Sequence, residues 1–229
     1  GIETYKDAVY ASIARETGQN SADAGISKPV TVTFNVIDIT RQEFPGIDKL
    51  ENTVKICLAQ AKSTGNQKEI DFFSQAQKVL AQEKIKVLHV ADYNTKGLVG
   101  PCVKGTPFHA LVKGSGISVK DSDTSGGSFG IGKNAAFAIS ELQTVFYSSL
   151  YPVKGGLKFI AQGKTILVSH TDDKGEKKKA KGYWGLPEYN AVMDINLVPE
   201  WMRRSQQGTS IFSAGFRHQN GWQYNMAAS

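Results

Sequence analysis

The sequence predicts a single α/β domain, and three observations point to it. Apolar residues recur at helical spacing in some segments and alternate in others, and the two kinds of segment are interleaved along the chain. The length of 229 residues, with 40% hydrophobic and 21% charged residues, supports a buried core without staples and does not suit a disordered chain. No internal repeat and no low-complexity linker divides the chain.

Residues 4–24 place Tyr5, Val9, Ile13, Ala14 and Ala24 at helical spacing, and Gly25 can stop that helix. Residues 31–39 (TVTFNVIDI) put Val32, Phe34 and Val36 on one face and are rich in β-branched residues, which predicts a strand. Residues 47–62 and 67–84 read as two amphipathic helices joined by the breaker Ser63-Thr64-Gly65. A short buried strand, 86–92, ends in an acid. A long stretch rich in Gly, Ser and Lys follows at 94–130, and 131–142 reads as a helix. Strands are expected at 144–151, 156–162 and 164–170. An irregular stretch with Tyr183, Trp184, Pro187 and Pro199 leads to a last strand at 209–216.

Composition excludes several classes. No apolar run approaches the roughly 18 residues a membrane helix needs, so no membrane partner is expected. Cys57 and Cys102 cannot make a disulfide framework, and no paired-cysteine zinc motif is present. No signal-peptide pattern opens the chain, so a reduced, cytoplasmic, soluble protein is expected. The first residue is Gly1 rather than Met, which suggests a cut or processed start. The 27 basic and 21 acidic residues give a net charge of +6. Part of that excess sits in one run, with Lys174, Lys177, Lys178, Lys179 and Lys181. The ordinary reading is a solvated loop tip; the functional one is contact with a nucleic-acid phosphate backbone.

Three motifs bear on chemistry. In RETGQNSADA, Glu16, Asn20 and Asp23 stand at i, i+4 and i+7 on one helix face. An amide oxygen there can ligate a hard cation such as Mg²⁺, and a carboxylate one turn away can deprotonate a water. The alternative is an ordinary exposed polar face. In VLHVADYNTKGL, an apolar strand runs into Asp92, placed to accept a hydrogen bond from a ligand's amino group, or simply a strand-ending turn acid. In DTSGGSFGIGKNAAF, Gly126, Gly127, Gly130 and Gly132 lead into a helix with Lys133, a composition that lets backbone amides approach phosphates. Gly127, Gly132 and Lys133 nearly match a P-loop, but Asn134 stands where its magnesium-binding hydroxyl belongs, and the preceding segment is polar rather than a buried strand.

These motifs, in this order and followed by Gly208-Thr209 before the last strand, resemble the GHKL superfamily of ATPases, which includes DNA gyrase B, MutL and the MORC proteins. The match spans positions 15–211. It implies a two-layer α/β (α+β) sandwich of a mixed, mostly antiparallel sheet with helices on one face, and ATP and Mg²⁺ as ligands. It implies Glu16 as the base that activates water, Asn20 as the magnesium ligand and Asp23 as support for the nucleotide pocket. Asp92 resembles the acid that reads the adenine amino group, and Gly97 the second glycine of the adenine-side loop. Gly126, Gly127, Ser128, Gly130, Gly132 and Lys133 resemble the lid over the phosphates. Thr209 resembles the threonine that backs the adenine-binding acid through water. The turn after Asp92 departs from the family pattern: it is one residue longer and has Asn94 where a glycine is expected. Asn tolerates the left-handed conformation such a turn needs.

The resemblance further implies an ATPase module, cut from a longer protein, that dimerises through regions outside this chain. The segment 94–133 is expected to serve as the lid, with 94–130 mobile without nucleotide. The helices at 47–84 are an insertion, read as a structural cover on one edge of the sheet or as a partner surface. The rival functions are a nucleotide switch with negligible hydrolysis, a P-loop-type NTPase or kinase, and a nucleic-acid-binding module using the 174–181 run.

Overall fold

The computed structural model describes residues 9–114 and 132–227. Among these, six helices and eight strands occur: α1 (Val9–Asp23), β1 (Thr31–Thr40), α2 (Ile47–Thr64), α3 (Gln67–Leu80), β2 (Lys84–Tyr93), α4 (Pro107–Val112), α5 (Gly132–Ala138), β3 (Ser140–Val153), β4 (Gly156–Ile166), β5 (His170–Thr171), β6 (Lys177–Lys178), β7 (Lys181–Trp184), β8 (Gly208–Phe216) and α6 (Trp222–Ala227). Six strands form one sheet in the order β1-β2-β8-β3-β4-β7. Every neighbouring pair in it is antiparallel. The expected α+β sandwich is present, with a wholly antiparallel sheet among the described residues rather than a mixed one.

Both faces of the sheet are covered. Side chains alternate across a strand, and β3 sends Leu142 and Phe146 into one core and Val145, Tyr147 and Tyr151 into the other. Likewise β2 sends Ile85 and Val87 one way, Leu88 and Val90 the other. The second core holds α1, α4, α5 and α6, the helical layer expected for a sandwich. The first holds the inserted α2 and α3, through Val54, Leu58, Phe73, Val79 and Leu80. The insertion therefore covers a face rather than an edge, and adds a third layer. Its partners Phe146, Phe159 and Phe212 stand on the inner strands β3, β4 and β8, so an edge position would leave them in water.

Local chemistry explains the boundaries. Gly65, in the left-handed conformation at φ 68°, ends α2, and Asn66 caps α3 by accepting from the amide of Glu69. α3 stops at Leu80, short of 84, because Lys84-Ile85-Lys86-Val87 already alternates as β2. Arg41 donates to the carbonyl of Leu80 at 2.7 Å and pairs with Glu51, tying β1 to both inserted helices. The two strands expected at 156–162 and 164–170 are one strand to Ile166: Gly163 does not break it, because Phe146 occupies the space over its Cα, and a Cβ would lie 2.7 Å from that ring. The helix expected to reach 142 ends at Ala138, where the buried Ser140 hydroxyl accepts from the amide of Thr144 at 3.1 Å and sets a bulge at the start of β3. Two helices lie where none was expected. In α4, Thr106 caps, Pro107 takes the first position, and Phe108 and Val112 are buried one turn apart. In α6, Trp222 and Met226 repeat that spacing.

The lysine run is a small hairpin rather than a bare loop. β5 pairs with β6, and the carboxylate of Asp172 accepts from the amides of Lys174 and Glu176 across the tip. Lys178 pairs with Asp172 and Glu176; Lys174, Lys177, Lys179 and Lys181 are exposed.

Candidate active site

β2 carries Asp92 to the end of the sheet, opposite Val32 of β1. Its side chain shares the face of Leu88 and Val90, the face that α1 covers. Three donors converge on its carboxylate. The amide of Thr209 donates to Oδ1 at 2.6 Å, the hydroxyl of Thr95 donates to Oδ1 at 2.7 Å, and the hydroxyl of Ser21 donates to Oδ2 at 3.1 Å. A carboxylate offers about four lone-pair sites. Among the described residues three are used, and the one remaining is on Oδ2.

Backbone bonds lock the end of α1 to the turn after Asp92. The amide of Lys96 donates to the carbonyl of Ala24 at 2.8 Å, and the amide of Ile26 to that of Asn94 at 2.9 Å. Asn94 adopts the left-handed conformation at φ 61°, as its residue type allows, and its side-chain amide donates to Pro29 at 2.7 Å. Gly97, at φ 68°, is buried: a Cβ would lie 2.8 Å from the carbonyl of Leu150 and 2.9 Å from the hydroxyl of Ser149. That hydroxyl accepts from the amide of Leu98 at 2.8 Å. The first, second and fourth sequence motifs thus meet at one place.

Ser21 sets the rotation of α1. With Tyr10, Ile13 and Ser21 buried, Asn20 lies on the flank of the helix beside the buried side. Asn20 and Asp23 are exposed and Glu16 is half-buried. Among the described residues none of these three side chains takes part in a hydrogen bond or ion pair. Their donors and acceptors are available to a ligand or to water, which fits both a site wall and an ordinary polar face. No group of three or more metal-ligating His, Cys, Asp or Glu side chains occurs among the described residues.

Thr209 contributes its backbone amide directly to Asp92, where the resemblance implied its side chain acting through water. Gly126, Gly127, Ser128 and Gly130 lie outside the described residues. Gly132 and Lys133 open α5, which packs beside α1 through buried Ala135, Ala136 and Phe137. The first half of the expected lid is held down. Leu98 is tied to Ser149, the amide of Phe108 donates to Val99 at 3.1 Å, and Phe108 and Val112 are buried.

Sequence reasoning missed Ser21, Thr95, Arg204 and Gln207. Gln207 donates to the carbonyl of Thr95 at 2.9 Å, fastening the turn. Arg204, buried below Asp92, donates to its carbonyl oxygen at 2.6 Å and to that of Thr209 at 2.9 Å. Desolvation lowers its pKa, against the nearby Asp92 carboxylate, which raises it. His89 lies on the opposite face, stacked on Phe212 at 4.4 Å and hydrogen-bonded to Ser210. Burial, then the Arg204 charge, pushes it down to about 4, so it is neutral at physiological pH. It is a core histidine.

No family model matches the chain, and no curated protein matches it. The resemblance to GHKL ATPases rests on the sequence motifs alone. No helix among the described residues is long and apolar enough to cross a membrane.

Proposed function

We propose that the chain is a Mg²⁺-dependent ATP-binding module of the GHKL type that hydrolyses ATP and drives a conformational change or dimerisation in a larger cytoplasmic protein. One observation supports this reading above the others. Asp92, at a strand end beneath α1, keeps one acceptor site open while every other site on its carboxylate is used. An acceptor-only group with one free lone pair takes a donor such as the adenine amino group. Asn20 supplies a hard oxygen for Mg²⁺, which when bound neutralises phosphate charge. Glu16, one turn earlier, accepts the proton of the attacking water. The glycine-rich 126–133 segment would supply amides to the phosphates, as the resemblance implies. The free thiols Cys57 and Cys102 suit a cytoplasmic setting.

Steady-state hydrolysis and nucleotide binding, measured on the same samples, test this. Glu16→Ala should keep binding and lose turnover by about 10²-fold or more. Wild-type turnover in that variant would leave a nucleotide-binding module without the assigned base. Negligible turnover in both would favour the switch.

The hairpin supports a second reading. Lys177, Lys179 and Lys181 are exposed and make a short basic row in the sequence from β6 across the bend at Ala180 to the start of β7. Such a row suits a phosphodiester backbone. Binding to duplex DNA with a salt slope that falls when all three become alanine would support it; an unchanged slope would end it.

A further inference from the structure

Arg204 belongs to none of the sequence motifs, yet its guanidinium braces the backbone beneath the site. It is 8% exposed, and a buried arginine needs its donors satisfied. Nη2 donates to the carbonyl oxygen of Asp92 at 2.6 Å. Nη1 donates to the carbonyl of Thr209 at 2.9 Å and to the hydroxyl of Ser210 at 2.6 Å. Nε donates to the carbonyl of Gln206 at 3.2 Å. The ring of Tyr93 lies 5.1 Å from the guanidinium carbon. No carboxylate oxygen is among these partners. The planar fork is used on main-chain carbonyls of Asp92 and Thr209, the two residues joined by the shortest bond to the Asp92 carboxylate, the Thr209 amide to Oδ1 at 2.6 Å.

Gly208 makes the arrangement sterically feasible. A Cβ there would collide with the carbonyl of Asp92 and lie 2.6 Å from Nη2 of Arg204 and 2.7 Å from Oδ1 of Asp92. Its φ of 138° is also one that side chains rarely adopt. β8 reaches Asp92 because residue 208 has no side chain, and Arg204 then holds both strands at that distance.

We infer that Arg204 is a positioning residue that fixes the open acceptor site of Asp92 toward the ligand and so sets a preference for 6-aminopurine over 6-oxopurine nucleotides. This rests on the nucleotide-binding reading of the site. An amino group donates to the carboxylate, whereas an oxo group in its place presents an acceptor to an acceptor. Discrimination of that kind needs a carboxylate that cannot swing aside to let water bridge the mismatch. The fork limits that freedom by bonding the main-chain carbonyls of both Asp92 and Thr209, whose amide in turn holds Oδ1.

Calorimetric titration of the full chain with ADP and IDP, which differ at purine position 6, tests the inference. The wild-type chain should bind ADP more tightly. Arg204→Lys keeps the charge but cannot bond both carbonyls in the fork geometry, so the ADP-to-IDP affinity ratio should fall about tenfold. Ser210→Ala removes one acceptor of the fork without altering a buried charge, so the ratio should fall about threefold; this variant decides the matter if Arg204→Lys does not fold. A wild-type ratio in the folded variants overturns the role of Arg204 and leaves the nucleotide reading standing. Equal affinity for ADP and IDP in the wild-type chain overturns the inference and leaves a nucleotide site; no affinity for either overturns the nucleotide reading, and the inference with it.

Discussion

Asp92 accepts hydrogen bonds from three elements, α1, the turn after β2, and β8, so its replacement reaches beyond any ligand. In Asp92→Asn the amide nitrogen takes the Oδ2 position, so the Ser21 hydroxyl must turn from donor to acceptor, the charge on the other bonds is lost, and the open acceptor site becomes a donor. The expected cost is about 2 kcal/mol, read as a lower urea midpoint, together with loss of ADP binding. Gly97→Ala carries a different penalty. Its Cβ meets the carbonyl of Leu150 at 2.8 Å, and its φ of 68° is strained for alanine, so a loss of about 1–3 kcal/mol is expected in the same assay. Asp92 and Gly97 were legible in the sequence because strand, acid, turn and glycine form a local pattern. Ser21 and Arg204 were not. Their bonds to Asp92 span 71 and 112 residues, and nothing near them in sequence announces the partner.

At the scale of elements, β2 separates two environments, with Asp92 at the site and His89 in the opposite core. His89 is held down to about 4, against 6.5 for the free side chain, by burial first and Arg204 second. Below pH 6.5 the unfolded chain takes up a proton there that the folded chain refuses until about pH 4. The stability this contributes is complete above pH 6.5 and is lost as pH falls toward 4, on the order of 2 kcal/mol. Urea denaturation between pH 7 and 4.5 should show that slope, flattened in His89→Phe; an equal slope in the variant would place the proton elsewhere. Most elements could be read because their periodicity is local. β4 was split in two because Gly163 reads as a breaker, whereas its missing side chain makes room for Phe146 of β3. α4 carried a usable signal, Thr106-Pro107 ahead of apolar residues one turn apart, hidden in a stretch rich in loop residues. In α6, Trp222 and Met226 gave a single pair at that spacing, too short a pattern to mark a helix.

For the whole molecule, the inserted helices close one of the two cores. Phe73 and Leu80 are fully buried with Phe146 and Phe212. Phe73→Ala should cost about 3–5 kcal/mol by calorimetric or urea unfolding. Replacing 47–83 with a short turn would bare Ile85, Val87, Phe146, Phe159 and Phe212 on one sheet face. That variant should aggregate on expression; a soluble, cooperatively folding deletion would show that the insertion is an appendage. The sequence announced the insertion as two amphipathic helices. It could not announce which face they cover, because periodicity fixes which side of a helix is apolar and not what that side meets.

The central claim is that the end of α1 and the Asp92 turn form a nucleotide site. The most direct measurement is calorimetric titration with a non-hydrolysable ATP analogue, with and without Mg²⁺, for the intact chain, Asn20→Ala and Asp92→Asn. The account predicts binding that Mg²⁺ strengthens, that loses this dependence in Asn20→Ala and that disappears in Asp92→Asn. No binding by the intact chain, or binding that Asp92→Asn leaves unchanged, would contradict it.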